Sequence, residues 1–274
     1  MKEYRITDST GASAVILPEK GATVVSYRVD GREYLYRDQE NLDSAERPRC
    51  GIPFLFPAFS RFPQDTFQWA GKAYPMHIHG FGHTSAWQVL LAETSRLRVA
   101  LCSDEDTRKM YPFDFRVELT FTLQEGVLRI QQRYENTGKE ALPYAFGFHP
   151  YWAVEDAGKA QVEINAGLEM DMKSQKLVSC QRKTAGVAFG PGMQEAGAFF
   201  AQAASPVTIH AAQEKRVCMC FDEAFDRVVL WSVKDKGFLC VEPINSSPNG
   251  LVTGDCYHLA PGESREAWVS FAVV

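Results

Sequence analysis

Along most of this chain apolar and polar residues alternate with a period of two. Leu97, Val99 and Leu101 alternate with Arg98, Ala100 and Cys102, and Leu119, Phe121 and Leu123 alternate with threonines. After a turn at Gln124-Glu125-Gly126, Leu128, Ile130, Gln132 and Tyr134 share one face, opposite Arg129, Gln131 and Arg133. Successive side chains of a strand point to opposite faces, so this pattern predicts paired antiparallel strands, each buried on one side. Asp30-Gly31, between Val24–Val29 and Tyr34–Tyr36, predicts a second hairpin, because Asp-Gly tolerates the positive φ of a tight turn. The 20 glycines and 14 prolines place turn signals at short spacing, as in sandwiches and barrels. Helical patterning is scarce, and the alanine-rich stretch Gln194–Ala204 is the one predicted helix. No internal repeat, low-complexity tract or long linker divides the chain, which predicts a single all-β domain over residues 1–274.

Composition narrows the partners. With 274 residues, 45% hydrophobic and 12% aromatic, the chain can bury a substantial core and is not a disordered one. The net charge of −5 comes from 29 basic and 34 acidic residues spread along the sequence. No basic stripe is available to neutralise phosphates, so no nucleic-acid partner is expected, and a neutral or weakly charged small molecule fits better. The N-terminal MKEYRITDST lacks the apolar core of a signal peptide, and no apolar run approaches the ~20 residues that span a bilayer. The expectation is a cytoplasmic protein with no membrane partner. Cys218 and Cys220, among seven cysteines, would share one face of a strand; a C-x-C pair is a poor disulfide and, with no second pair, a poor zinc site. Reduced thiols are expected.

The histidines carry the chemistry. His77, His79 and His83 crowd the segment GKAYPMHIHGFGH. Gly71, with five residues before His77-x-His79, matches the opening half of a cupin metal motif, and alternate residues of a strand could chelate one ion. The second half is missing: His83 stands where a glutamate ligand belongs, and no later Pro-x-Gly segment supplies another histidine. No metal is therefore expected. His149, in FGFHPYW, closes a strand that begins near Leu142, and Glu242, in FLCVEPINSSPNG, follows an apolar stretch. Aromatic residues flank both, which suits the C–H face of a pyranose. His210 and His258 read as ordinary surface or core histidines.

Together these segments resemble the aldose 1-epimerase (galactose mutarotase) family, in its order and through most of the chain. GATVVSYRVDGREYLYRD is similar to the family's opening hairpin, and GIPFLFPAFSRFPQDTFQWAGKAYPM to its Gly-Ile-Pro-x-Leu-Phe-Pro segment with a following arginine. HGFGHTSAWQV resembles the His-Gly-Phe-Ala-Arg segment. YPFDFRVELTFTL and LRIQQRYENTGKEALPYAFGFHPYW resemble the central hairpin that ends in the family's histidine motif. GFLCVEPINSSPNG and LAPGESREAWVSF resemble its glutamate motif and terminal strand.

The resemblance implies a galactose mutarotase-like antiparallel β-supersandwich with an open, groove-like site and no required cofactor. It implies an isomerase that interconverts the α and β anomers of a free aldose. Glu242 would be the general base at the anomeric hydroxyl and His149 the general acid at the ring oxygen. His79 would hold a sugar oxygen near the reacting centre, and Arg61 would bind further hydroxyls. The partner would be a small-molecule sugar, and the protein a monomer or homodimer.

This sequence departs from the family pattern twice. No residue among Asp171, Asp222 and Asp226 matches the family's hydroxyl-binding aspartate, and His83 replaces the arginine of His-Gly-Phe-Ala-Arg. Because a phosphate dianion is best held by guanidinium, the second departure predicts a preference for unphosphorylated sugars. A hexose-6-phosphate 1-epimerase and a non-catalytic sugar-binding or sugar-sensing protein are the alternatives that share the fold.

Overall fold

A computed structural model of the chain describes residues 1–44, 46–171, 173–174, 176–210 and 216–274. The expected alternation is realised as a ladder. Phe115–Gln124 pairs antiparallel with Val127–Asn136, with Leu119 opposite Gln132, Phe121 opposite Ile130 and Leu123 opposite Leu128. Leu128, Ile130, Gln132 and Tyr134 are buried while Arg129, Gln131 and Arg133 are exposed. Glu125 and Gly126 close the turn at φ 51° and 76°, the left-handed pair that a two-residue hairpin demands. Asp30 and Gly31 do the same at φ 51° and 73°, but the returning strand is only Arg32–Glu33. Leu35, expected within that strand, leaves it to bridge Trp152 in the interior.

Among the described residues the strands form one 14-stranded sheet, one four-stranded sheet and two two-stranded ribbons. Along the large sheet the order runs from Phe54–Leu55 through Gly147–Phe148, Phe238–Ile244 and Arg227–Val233 to Glu195–His210. It continues through Arg216–Phe221, Ser264–Val273 and the central hairpin to Arg96–Cys102 and Gln88–Ala92. One apolar cluster runs from Ile6 to Phe271, with Phe54, Phe56, Tyr134 and Trp152 among its fully buried members. The GIPFLFP segment feeds it by alternation: Phe54 and Phe56 stack on Tyr134 at 6.4 and 6.1 Å, whereas Leu55 joins Phe59 and Ile244 in a separate cluster.

The predicted helix is not there. Gln194–Ala204 lies almost wholly within the 16-residue strand Glu195–His210. It is paired with Arg227–Val233 on one side and Val162–Asp171 on the other. An interior position between two strands outweighs alanine's modest helix preference, and small side chains at Ala196, Ala201 and Ala203 fit its buried positions. The helices are short, at Gln39–Asp43, Glu105–Met110 and Gly250–Thr253. No helix among the described residues is long and apolar enough to cross a membrane. Cys218 and Cys220 share a face as free thiols, their sulfurs in hydrogen-bond contact at 3.8 Å with no disulfide.

Candidate active site

His149 and Glu242 meet where the large sheet is locally broken. Gly147–Phe148 and Tyr151–Ala153 both pair with Phe238–Ile244, with Gly147 opposite Ile244 and Tyr151 opposite Cys240. His149 and Pro150 occupy the break between them; the His149 N–H donates to the Pro53 carbonyl at 2.9 Å. Position 147 must be glycine, because a Cβ there would lie 2.6 Å from Ile244 Cγ2 and 2.8 Å from the Pro243 carbonyl oxygen. That close approach leaves His149 Nε2 3.4 Å from Glu242 Oε1, with side chains 8% and 2% exposed.

His79 arrives from a different part of the chain. Its backbone is left-handed, at φ 65°. Its N–H donates to the Ser60 carbonyl at 2.9 Å, and the Ser60 N–H donates to His79 Nδ1 at 3.2 Å. Gly80 follows at φ 75°, and a Cβ there would sit 2.3 Å from the Phe56 carbonyl oxygen. The His79 ring then packs edge-to-face with that of His149, centroids 5.4 Å apart. Because Nδ1 accepts a hydrogen bond, a neutral His79 carries its proton on Nε2 and is a donor there.

Burial governs the electrostatics. It pushes the Glu242 carboxyl well above the ordinary 4.5, opposed by the nearby Arg47 guanidinium. It pushes the His149 imidazole down to about 3, with Arg47 acting in the same direction. His79 is lowered well below 6.5 by burial and by its histidine neighbours. Neither Glu242 Oε2 nor His149 Nδ1 has a hydrogen-bond partner among the described residues. Buried polar atoms without partners are uncommon and mark places where a ligand can supply the missing bonds.

The pair forms the floor of a cleft of about 230 Å³ whose walls include Arg47, Arg49, Tyr151, Glu195 and Trp231. Tyr151 stacks on the His149 ring at 4.7 Å, and Trp231 meets it edge-on at 5.7 Å. A second cavity of about 550 Å³ adjoins, sharing Arg47 and Arg49 and adding Arg61, His77 and His83.

Of the expected site residues, His79, His149 and Glu242 come together and Arg61 stands apart. Arg61 lines the adjoining cavity rather than the cleft, is 60% exposed and is clamped on Asp65 at 2.7 and 2.8 Å. The chelating pair imagined for His77 and His79 does not form, since His77 is exposed in a turn while His79 is buried. Among the described residues the one group with metal-ligating spacing is His149, Cys240 and Glu242, whose ligand atoms lie within 4.8 Å of one another. Burial pushes the Cys240 thiol well above its ordinary value, which disfavours the thiolate that a metal needs.

The aspartates are engaged elsewhere. Asp171 holds the backbone of Lys173 and Ser174, Asp222 that of Ala224 and Trp268, and Asp226 pairs with Arg227. The second cleft carboxylate is instead Glu195, which accepts from Trp231 Nε1 at 3.3 Å. Sequence reasoning missed Arg47, Arg49, Glu195 and Trp231. Trp231 and Val229 were open to inference from the strand alternation that follows Asp226, but their pairing opposite Cys240 and Glu242 was not.

Comparisons with known proteins bear on the family and the fold. The chain matches the aldose 1-epimerase family over residues 2–272. The Slr1438 protein of Synechocystis superposes with a TM-score of 0.89 at 30% identity, covering 99% of this chain and 95% of that one. A galactose mutarotase-like protein from Lactobacillus casei superposes with a TM-score of 0.84 at 19% identity over 100% of both chains. The uncharacterised protein YphB of Escherichia coli is 24% identical over 254 residues, 80% of this chain and 82% of its own length. The expected all-β, galactose mutarotase-like fold is borne out.

Proposed function

Since this chain belongs to the aldose 1-epimerase family, we propose that it interconverts the α and β anomers of an unphosphorylated aldose, with Glu242 and His149 as the acid–base pair. The observation that carries this reading is the His149–Glu242 contact of 3.4 Å on the floor of an aromatic-walled cleft. A protein that only binds sugar has no need of a matched acid and base, both held out of water.

Opening a hemiacetal requires a proton to leave the C1 hydroxyl and another to reach the ring oxygen. The Glu242 carboxylate accepts the first while the His149 imidazolium donates the second, and the C1–ring-oxygen bond breaks to give the aldehyde. Rotation about C1–C2 presents the other carbonyl face. Reclosure with the proton transfers reversed gives the other anomer, and both groups return to their starting states. No covalent intermediate is required, and positioned groups of this kind each contribute roughly 10²–10⁴-fold.

The opposed effects of burial fit this chemistry. Raising Glu242 and lowering His149 favours a carboxylic acid beside a neutral imidazole in the empty site. That neutral pair holds the same number of protons as the carboxylate–imidazolium pair, so one transfer across the contact converts one into the other. The sugar's hydroxyls favour the charged form, in which His149 and Glu242 take the roles above; Arg47 stabilises its carboxylate and opposes its imidazolium. His79 Nε2–H is placed to donate to a sugar oxygen, and Trp231 and Tyr151 offer apolar ring surface to the sugar's C–H face. Polarimetry or NMR of freshly dissolved α-D-glucose and α-D-galactose, with and without protein, tests the reading; unchanged equilibration of both sugars would defeat it.

One observation favours a second reading, a hexose-6-phosphate 1-epimerase. Arg47, Arg49 and Arg61 line the cavity beside the cleft, and guanidinium is the strongest phosphate-binding side chain. His83, by contrast, is 3% exposed, and burial pushes it down to about 3, so it brings no charge to a phosphate.

A further inference from the structure

A third cavity, of about 350 Å³, adjoins the cleft and shares Arg49, Tyr151 and Trp231 with it. Its added walls include Tyr36, Val233 and Phe238 together with Glu40 and Lys236. Phe238 packs against Tyr36 at 5.1 Å and against Trp231 at 5.6 Å. Trp231 meets His149 at 5.7 Å and Tyr151 stacks on it at 4.7 Å, so the two rings that flank the reacting centre also line this second space.

The lining has the composition of a sugar site: aromatic rings for C–H faces, with polar groups set among them for hydroxyls. The side chains of Arg49, Glu40 and Lys236 make no hydrogen bond or ion pair among the described residues, so they remain available to a ligand. The charges here are mixed, with Asp38, Glu40 and Glu46 against Arg49 and Lys236. Such a lining selects a neutral occupant, unlike the arginine-rich cavity that contains Arg47, Arg49 and Arg61. The chemistry permits one, because anomerisation engages only the C1 hydroxyl and the ring oxygen and leaves the far hydroxyls free to carry another sugar.

We propose that this cavity is a subsite for the second unit of a neutral reducing disaccharide or longer oligosaccharide, linked through C4 or C6 of the unit held over His149 and Glu242. The proposal rests on the epimerase reading. It is tested by NMR exchange measurements of kcat/KM for 1→4- and 1→6-linked disaccharides (maltose, cellobiose, lactose, isomaltose and gentiobiose) against glucose and galactose. Wild-type protein is compared with Val233→Trp, which fills the cavity, and with Lys236→Ala, an exposed change that leaves the core untouched should the larger residue prevent folding.

The expected result is a kcat/KM at least about fivefold higher for one or more disaccharides than for their reducing monosaccharide. Val233→Trp should abolish that advantage and Lys236→Ala should lower it about threefold, while monosaccharide turnover stays within about twofold of wild type. Active wild-type protein with no disaccharide advantage overturns the subsite alone. So do variants that slow mono- and disaccharides equally. Failure to equilibrate any sugar overturns the epimerase reading, and the subsite with it.

Discussion

Lowering the pH from about 7.0 to about 5.5 should destabilise the folded chain through three imidazoles at the cleft. His79, His83 and His149 are 7%, 3% and 7% exposed. Burial holds His79 well below the ordinary 6.5 and takes His83 and His149 to about 3. A group whose folded pKa is depressed in this way contributes stability that is complete above its unfolded pKa and is lost as the pH falls, because only the unfolded chain takes up the proton. With unfolded values of about 6.5, each imidazole costs roughly 0.2 kcal/mol at pH 7.0 and about 1.4 kcal/mol at pH 5.5. His83 and His149, at about 3, therefore cost about 2.5 kcal/mol over this window, and His79 adds a loss of the same sign. Glu242 acts in the opposite sense. Its raised folded pKa gives stability that is present below about 4.5 and lost as the pH rises, and it returns at most about 2 kcal/mol over the same window. His83, His149 and Glu242 together should give a net loss of about 0.5–2.5 kcal/mol, which His79 deepens, read as a fall in urea unfolding free energy at constant m-value. His83→Asn should reduce the loss by about one imidazole's share, about 1.2 kcal/mol, and Glu242→Gln should increase it. Equal unfolding free energies at the two pH values, in wild type and both variants, would refute the reasoning.

Glu242→Gln and His149→Asn should each lower mutarotation by at least about a hundredfold with the circular dichroism spectrum unchanged; near wild-type turnover in either removes it from the acid–base pair. His79→Asn should raise KM more than it lowers kcat, because its imidazole donates to the sugar and transfers no proton; a loss confined to kcat would contradict that role. Exhaustive dialysis against a chelator should leave activity unchanged, whereas a stoichiometric transition metal lost together with activity would make His149, Cys240 and Glu242 its ligands. Glucose should show a higher kcat/KM than glucose 6-phosphate. The reverse order, abolished by Arg49→Met, would establish the phosphosugar reading.

How much of this was legible depended on whether a feature is set by near neighbours or by distant ones. The central hairpin was legible in its strands and its turn, apart from Gln124, which pairs with Val127, since alternation and a Glu125-Gly126 turn are local properties of the chain. The Glu195–His210 strand was not, because alanine says little about its own conformation and the strand exists through its partners at Val162–Asp171 and Arg227–Val233. The same division runs through the site. His149 and Glu242 were found because each sits in a distinctive local motif, and the structure adds that Gly147 is what lets their two segments approach. Arg47 and Arg49 precede the GIPFLFP segment in a stretch with no periodic pattern, yet both line the cleft. Glu195 enters it only because its strand lies beside Trp231, 36 residues later. The motifs therefore specify the proposed acid–base pair, while the walls of the cleft come from residues whose chemistry is visible in the sequence but whose destination is not. That is also why Arg61, a residue of the right type next to the right motif, turns away onto Asp65. Residue type and neighbourhood fix what a side chain can bind, and only the assembled sheet fixes which cavity it faces.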